Sequence, residues 1–212
     1  MRLDLTQLGA TPYAAAVEAR ALFVCAHGAG AGQRHPFMVG VALALAARGI
    51  DVVTFDFPYM RLGKGAPDRP PVLEQSFRDA VDAARRWSRA ERLVIGGKSM
   101  GGRIATQLAA QRLDSLSGVV CFGYPLHPPG RPDQLRVAHW PAIATPLLII
   151  QGERDAFGTP DELKPHLDAI NADVRLQIVA RADHSLAVRG RSALDTYTEL
   201  ADLASAFIIP TV

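Results

Sequence analysis

Residues Gly96–Gly102 read GGKSMGG, and two chemistries compete for that run. The triplet Gly97-Lys98-Ser99 matches the tail of a phosphate-binding loop, G-x-x-x-x-G-K-[S/T], which cradles a nucleotide on backbone amides. The five residues Gly97-Lys98-Ser99-Met100-Gly101 also match G-x-S-x-G, a sharp strand-to-helix turn with a nucleophilic serine at its apex. The phosphate loop requires glycine at position 92, where the chain has Arg92. Leu93, Val94 and Ile95 moreover read as a buried strand, which leaves no loop to wrap a phosphate. The serine turn fits. An apolar strand precedes it, the helical pattern RIATQLAAQ follows it, and glycines two positions either side of Ser99 let the backbone fold back without clashes. The free amides and positive dipole end of that helix face any oxyanion that develops at the serine.

A serine nucleophile needs a base to take its proton and an acid to orient that base. For this kind of turn the acid and then the histidine follow downstream, each in a loop after a later strand. Asp155 follows the run PLLIIQG, in GERDAFG, and His184 follows RLQIVA, in RADHSL. All three residues therefore leave strands at one edge of a sheet, where open α/β sheets place their sites. Asp183 adjoins His184 in sequence and is badly placed to orient it. Asp161, Asp168 and His166 fall on a helix, and His139 lies in a connecting loop. His27, at a strand end beside Gly28, is read as fixing its loop. His127 stays a candidate, because its loop also leaves a strand.

The stretch HGAGAG at His27–Gly32 mimics a dinucleotide fingerprint, with Asp56 ending the next strand. G-x-G-x-x-G started at Gly28 requires glycine at 33, and the chain has Gln33. In the serine reading, the amides of Ala29 and Met100 form an oxyanion hole. Phe57, Tyr59, Tyr124, Leu126 and Phe157 lie near strand ends, where they either line a substrate-binding acyl pocket or cap the core. Arg34 and His35 are placed to meet an acidic substrate group, with simple exposure the alternative for Arg34.

These residues need a scaffold, and the rest of the chain describes one. Its 212 residues fit one sizeable domain, residues 1–212, with 1–20 an N-terminal extension packed on it. Apolar residues make up 49% and the formal charge is +2, with no block of like charges to mark a nucleic-acid partner. Strands are expected at Ala21–Ala26, Asp51–Phe55, Leu93–Ile95, Leu116–Phe122, Pro146–Gln151 and Val174–Val179. Helical spacing links Met38, Val41, Ala42 and Leu45; Phe77, Val81, Ala84 and Trp87; and Leu194, Tyr197, Ala201, Ala204 and Ile208. Thr159-Pro160-Asp161-Glu162 carries a capping box with proline in the first turn. Strands that are nearly continuous apolar runs separated by helices predict a mostly parallel sheet covered on both faces. Cys25 and Cys121 sit inside apolar runs and read as buried thiols. No segment has the length of a membrane span or the apolar core of a signal peptide, so the default expectation is a soluble, cytoplasmic protein.

On HGAGAGQRHPFM, FDFPYM, GGKSMGGRIA, GYPLHPPGRP, QGERDAFG and ADHSL, the chain resembles the α/β-hydrolases. Within that superfamily it is similar to a small, capless, dienelactone-hydrolase-like group. The similarity runs from Ala21 over nearly the whole chain. It implies a three-layer α/β-hydrolase fold, with Ser99 as nucleophile, His184 as base and Asp155 as its partner. Two departures shape the expectation. The residues before Ala21 are too few for the N-terminal hairpin of larger relatives, so six or seven strands are expected. The segment from Tyr124 to Pro146 is too short for a helical lid, so the site should be open and its acyl groups small or exposed. Lys98 within the turn is unusual for esterases in general. The expected activity is hydrolysis of an ester or thioester by a serine hydrolase, with no metal or other cofactor, by a monomer or homodimer. A non-catalytic binding or scaffold module on the same fold, and a cofactor-free perhydrolase or haloperoxidase, remain the alternatives.

Overall fold

The computed structural model describes residues 3–210; the first two residues of the N-terminal extension and the last two of the chain lie outside it. The strands are β1 (Thr11–Tyr13), β2 (Ala21–Ala26), β3 (Ile50–Phe55), β4 (Leu93–Lys98), β5 (Leu116–Phe122), β6 (Leu147–Gly152) and β7 (Val174–Val179). They form one sheet in the order β1-β3-β2-β4-β5-β6-β7. β1 runs antiparallel to β3, and every other pairing is parallel. Each parallel connection must cross a face of the sheet, and intervening helices make those crossings except between β5 and β6, where a loop with one short 3-10 turn does.

Helices α1 (Pro36–Ala46) and α6 (Ala193–Ile208) cover one face, over Phe23, Val52, Val120 and Ile150. Helices α3 (Pro70–Trp87) and α4 (Met100–Ala110) cover the other, over Val24, Val53, Ile95, Val119 and Ile149, and α5 (Pro160–Leu167) adds Leu163 there. A single turn, α2 (Pro58–Arg61), follows β3. Because successive strand side chains point to opposite faces, neighbours such as Phe23 and Val24 feed two separate cores. With both faces covered, every residue of β2, β3 and β6 is buried, the polar Asp51, Thr54 and Gln151 included, as expected of parallel strands between helices. Burying one such leucine or phenylalanine is worth about 1.5–3 kcal/mol.

Local sequence sets several helix starts. In α5, Thr159 Oγ1 accepts from the Glu162 amide at 3.3 Å, while Glu162 Oε2 accepts from the Thr159 amide at 2.7 Å. Pro160 occupies the first turn, where its missing N–H costs nothing. The His35 ring caps α1 by accepting from the Phe37 amide at 3.2 Å.

The fold is the expected three-layer arrangement, with seven strands and no lid domain. The seventh strand is β1, three residues long, which lies in the N-terminal extension, outside the six strands located from the sequence. β4 runs three residues past Ile95, through Gly96, Gly97 and Lys98, because β2 and β5 pair with it on both sides. Leu194 does not join the buried stripe of α6 and is 73% exposed. The stripe centres on Thr196, Leu200, Ala204 and Phe207, and Leu194 lies at its margin in the first turn. Between Tyr124 and Pro146 the chain is loop apart from a short 3-10 turn, Trp140–Ala142. Cys25 and Cys121 are buried and unpaired, and burial pushes both thiols well above their usual range. Among the described residues no helix is long and apolar enough to cross a membrane.

Candidate active site

Ser99 stands between the end of β4 and the start of α4 with φ 50° and ψ −114°. A side chain in that left-handed region costs of order 1–3 kcal/mol and persists only where the surroundings over-determine it. Two glycines do so here. A Cβ at Gly97 would lie 2.2 Å from the Ala26 carbonyl oxygen, and one at Gly101 would lie 2.3 Å from the same atom. The turn is thus pressed against the end of β2, and no other residue type fits at either position.

Three side chains meet in front of this turn. His184 Nε2 lies 2.8 Å from Ser99 Oγ, and His184 Nδ1 lies 2.8 Å and 2.9 Å from the two Asp155 carboxylate oxygens. The network assigns the tautomer: Nδ1–H donates to Asp155, which leaves Nε2 free to accept from the serine hydroxyl. Asp155 is 1% exposed, and its carboxylate also accepts from the Phe157 amide at 2.8 Å and from Gln151 Nε2 at 2.9 Å. Those donors hold a buried charge that would otherwise be costly.

The loop after β2 forms the opposite wall. A Cβ at Gly28 would touch Ser99 Cβ at 3.6 Å, so this loop lies directly over the turn. Ala29 and Met100 both line the cavity with Ser99. Tyr59 Oη donates to the Ala29 carbonyl at 2.9 Å, which fixes that peptide plane. His27 Nδ1 donates to the Gly28 carbonyl at 2.7 Å, and His27 Nε2 accepts from the Phe57 amide at 3.1 Å. That buried imidazole is spent on backbone, and burial lowers its pKa.

The cavity in front of Ser99 measures about 790 Å³, within the range that holds small ligands. Of the five proposed pocket residues, only Phe157 lines it. Its ring stacks on His184 with centroids 4.0 Å apart. Phe57, Tyr59, Tyr124 and Leu126 are at most 1% exposed and cap the core instead. Phe57 packs on Phe55 and Phe77, and the Tyr124 hydroxyl donates to the Arg136 carbonyl at 2.6 Å. Their polar and aromatic groups are satisfied inward, which is why they do not face the cavity. Arg34 is exposed and away from the cavity lining, whereas His35 lines it.

The remaining candidates make contacts outside the Ser99–His184–Asp155 cluster. Asp183 accepts from the Ser185 amide and hydroxyl at 2.9 Å and 2.6 Å. His139 Nε2 lies 2.8 Å from Thr106 Oγ1, and burial, then the charge of Arg103, drops its pKa to about 4. His127 Nδ1 bonds the Pro128 carbonyl at 2.8 Å, and its Nε2 lies 3.5 Å from Glu162.

Two functional contacts escaped the sequence reading. Gln151, fully buried, donates to Asp155 and Gly158 and accepts from the Tyr124 amide. A lone amide at the end of the apolar run PLLIIQG was the available clue. Lys98 Nζ donates to the His184 carbonyl at 2.6 Å, tying the serine turn to the histidine loop. Burial pushes its pKa down to about 8, against the opposing pull of Asp155 and Asp183.

A family model described as an alpha/beta hydrolase domain matches residues 19–209. The chain belongs to the alpha/beta hydrolase domain family. Structures that share its fold include a dienelactone hydrolase from Anabaena variabilis, at TM-score 0.73 and 22% identity over 94% of this chain and 90% of that one. An a/b serine hydrolase without lid from Xanthomonas campestris gives 0.74 at 18% identity, over 96% and 90% of the two chains. Est1E from Butyrivibrio proteoclasticus gives 0.71 at 14% identity, over 95% and 94%. At such identities the likeness is one of fold. Within the alpha/beta hydrolase domain, the Ser99 cluster sits where the parallel strands end at their C-terminal edge, the usual place for a site on an open sheet.

Proposed function

We propose that this chain is a serine hydrolase that cleaves a carboxylic ester or thioester of a small or exposed acyl group. The observation that carries the reading is the unbroken contact from Ser99 Oγ through the His184 ring to the buried carboxylate of Asp155. His184 Nε2 takes the hydroxyl proton as Ser99 Oγ attacks the substrate carbonyl carbon. The oxyanion of the tetrahedral intermediate is held by the amides of Ala29 and Met100. His184 then returns the proton to the departing alcohol or thiol, leaving an acyl group on Ser99. A water, deprotonated by the same nitrogen, releases the acid. Asp155 keeps Nδ1 protonated and stabilises the imidazolium throughout.

Labelling with a fluorophosphonate probe tests this directly, with wild type beside Ser99→Ala. Wild type should label, and Ser99→Ala should lose both labelling and hydrolysis of p-nitrophenyl esters, by about a million-fold in kcat. Failure of folded wild type to label would favour a binding module on the same scaffold.

A further inference from the structure

The cavity walls carry an imbalance of charge that the proposed reaction does not use. Lys98, Arg103, Arg136 and Arg154 line it against only two carboxylates, Asp68 and Asp183. Asp183 is engaged by Ser185, and Asp68 lies 3.7 Å from Lys64 through Oδ1, its Oδ2 being buried without a partner. Among the described residues, no ion pair includes Arg103, Arg136 or Arg154. Arg154 is exposed and its charge is solvated, whereas Arg103 and Arg136 are half-buried.

Arg103 is placed unfavourably in three respects. It is the fourth residue of α4, so a cation stands near the positive end of a helix dipole. Its Nε is buried with no hydrogen-bond partner, which leaves a desolvated donor uncompensated. It also stands close enough to Arg136 that, after burial, its charge helps push the Arg136 guanidinium below its usual range. One carboxylate placed between the two guanidinium groups relieves the first and the third of these. Departures from local rules concentrate where function requires them, and a planar fork of donors is suited to a carboxylate.

We propose that Arg103 and Arg136 form an anion subsite, so that the substrate is an ester or thioester carrying a free carboxylate near its scissile carbonyl. This rests on the hydrolase reading for the fate of the ester, but not for binding of the anion. Arg103 follows Ser99 by four residues, about 6 Å of helix rise at 1.5 Å per residue, so a short spacer joins the two groups of the substrate.

The test compares mono-p-nitrophenyl glutarate with p-nitrophenyl valerate, a neutral ester of the same acyl length. Wild type should favour the acidic ester at least tenfold in kcat/KM. Arg103→Gln and Arg136→Gln should each cut that preference about tenfold, as expected for one charged hydrogen bond. Arg103→Lys should retain part of it, and Arg131→Gln, at an exposed position outside the cavity, should retain all of it. Calorimetry on Ser99→Ala, titrated with glutarate or inorganic phosphate, reads the subsite without turnover. Glutarate binding that is weakened by adding Arg103→Gln supports the proposal. Binding of phosphate in preference to glutarate overturns the carboxylate assignment. A preference near one with valerate turned over and no glutarate binding overturns the subsite and leaves the hydrolase standing. No labelling and no turnover, with Arg103-dependent glutarate binding, does the reverse.

Discussion

Lys98 holds an ammonium in a half-buried position beside the Asp155–His184 pair, and its one hydrogen bond runs to the His184 carbonyl. Its pKa is 10.5 in an unperturbed chain and about 8 in the fold. Between those values the unfolded chain holds the extra proton, so this residue makes stability rise with pH from about 8 to 10.5. Below that window both states are protonated and the burial penalty is complete. Urea unfolding of wild type and Lys98→Met at pH 7 and pH 10 should therefore show wild type gaining on the variant at the higher pH. The same substitution frees the His184 loop from the serine turn, and kcat should fall about ten- to a hundredfold, the scale of a small misplacement of reacting groups. The meeting of Ser99, Asp155 and His184 was legible in the sequence because each follows a strand, in the chain order that a nucleophile turn of this kind carries. Gln151 was not. Its role depends on β6 ending beside β5, where its amide can span Asp155 and Tyr124 together.

At the level of elements, the decisive packing is that of the Ser99 turn on the end of β2. Gly97→Ala would drive a methyl to 2.2 Å from a backbone carbonyl, which neither chain segment can yield without moving the sheet. It should destabilise by about 4 kcal/mol or more, the range reserved for such clashes. Gly30→Ala, with nothing within 4 Å of its Cβ, should shift stability by no more than about 0.5 kcal/mol in the same denaturant titration. The strands with β-branched runs were readable in advance because burial on both faces writes them as continuous apolar segments. The end of β4 was not, since Gly96, Gly97 and Lys98 have poor strand propensity and are held by their neighbours. The fate of rings at loop bases was also hidden. Phe57 and Phe157 both follow strands, yet one turns into the core and the other onto His184.

Taken whole, the molecule presents its site without a lid. The segment between Tyr124 and Pro146 is pinned down by Tyr124 to Arg136, by Trp140 Nε1 to the Tyr124 hydroxyl at 3.1 Å, and by His139 to Thr106. A substrate therefore meets no gate that a lipid interface could open. The rate on a short-chain ester should follow a plain hyperbola through the substrate's solubility limit, and an abrupt rise at that limit would contradict the open architecture. The net charge of +2 gave no hint of the cationic cavity, because exposed acids elsewhere cancel it and only the fold gathers the basic residues. The two sealed cysteines have a practical corollary. With Cys25 and Cys121 enclosed in the sheet, a single thiol introduced at the exposed Leu194 position would be the sole attachment point for a maleimide dye. A spectroscopic reporter could thus be mounted on the first turn of α6 without first stripping the protein of its native sulfur.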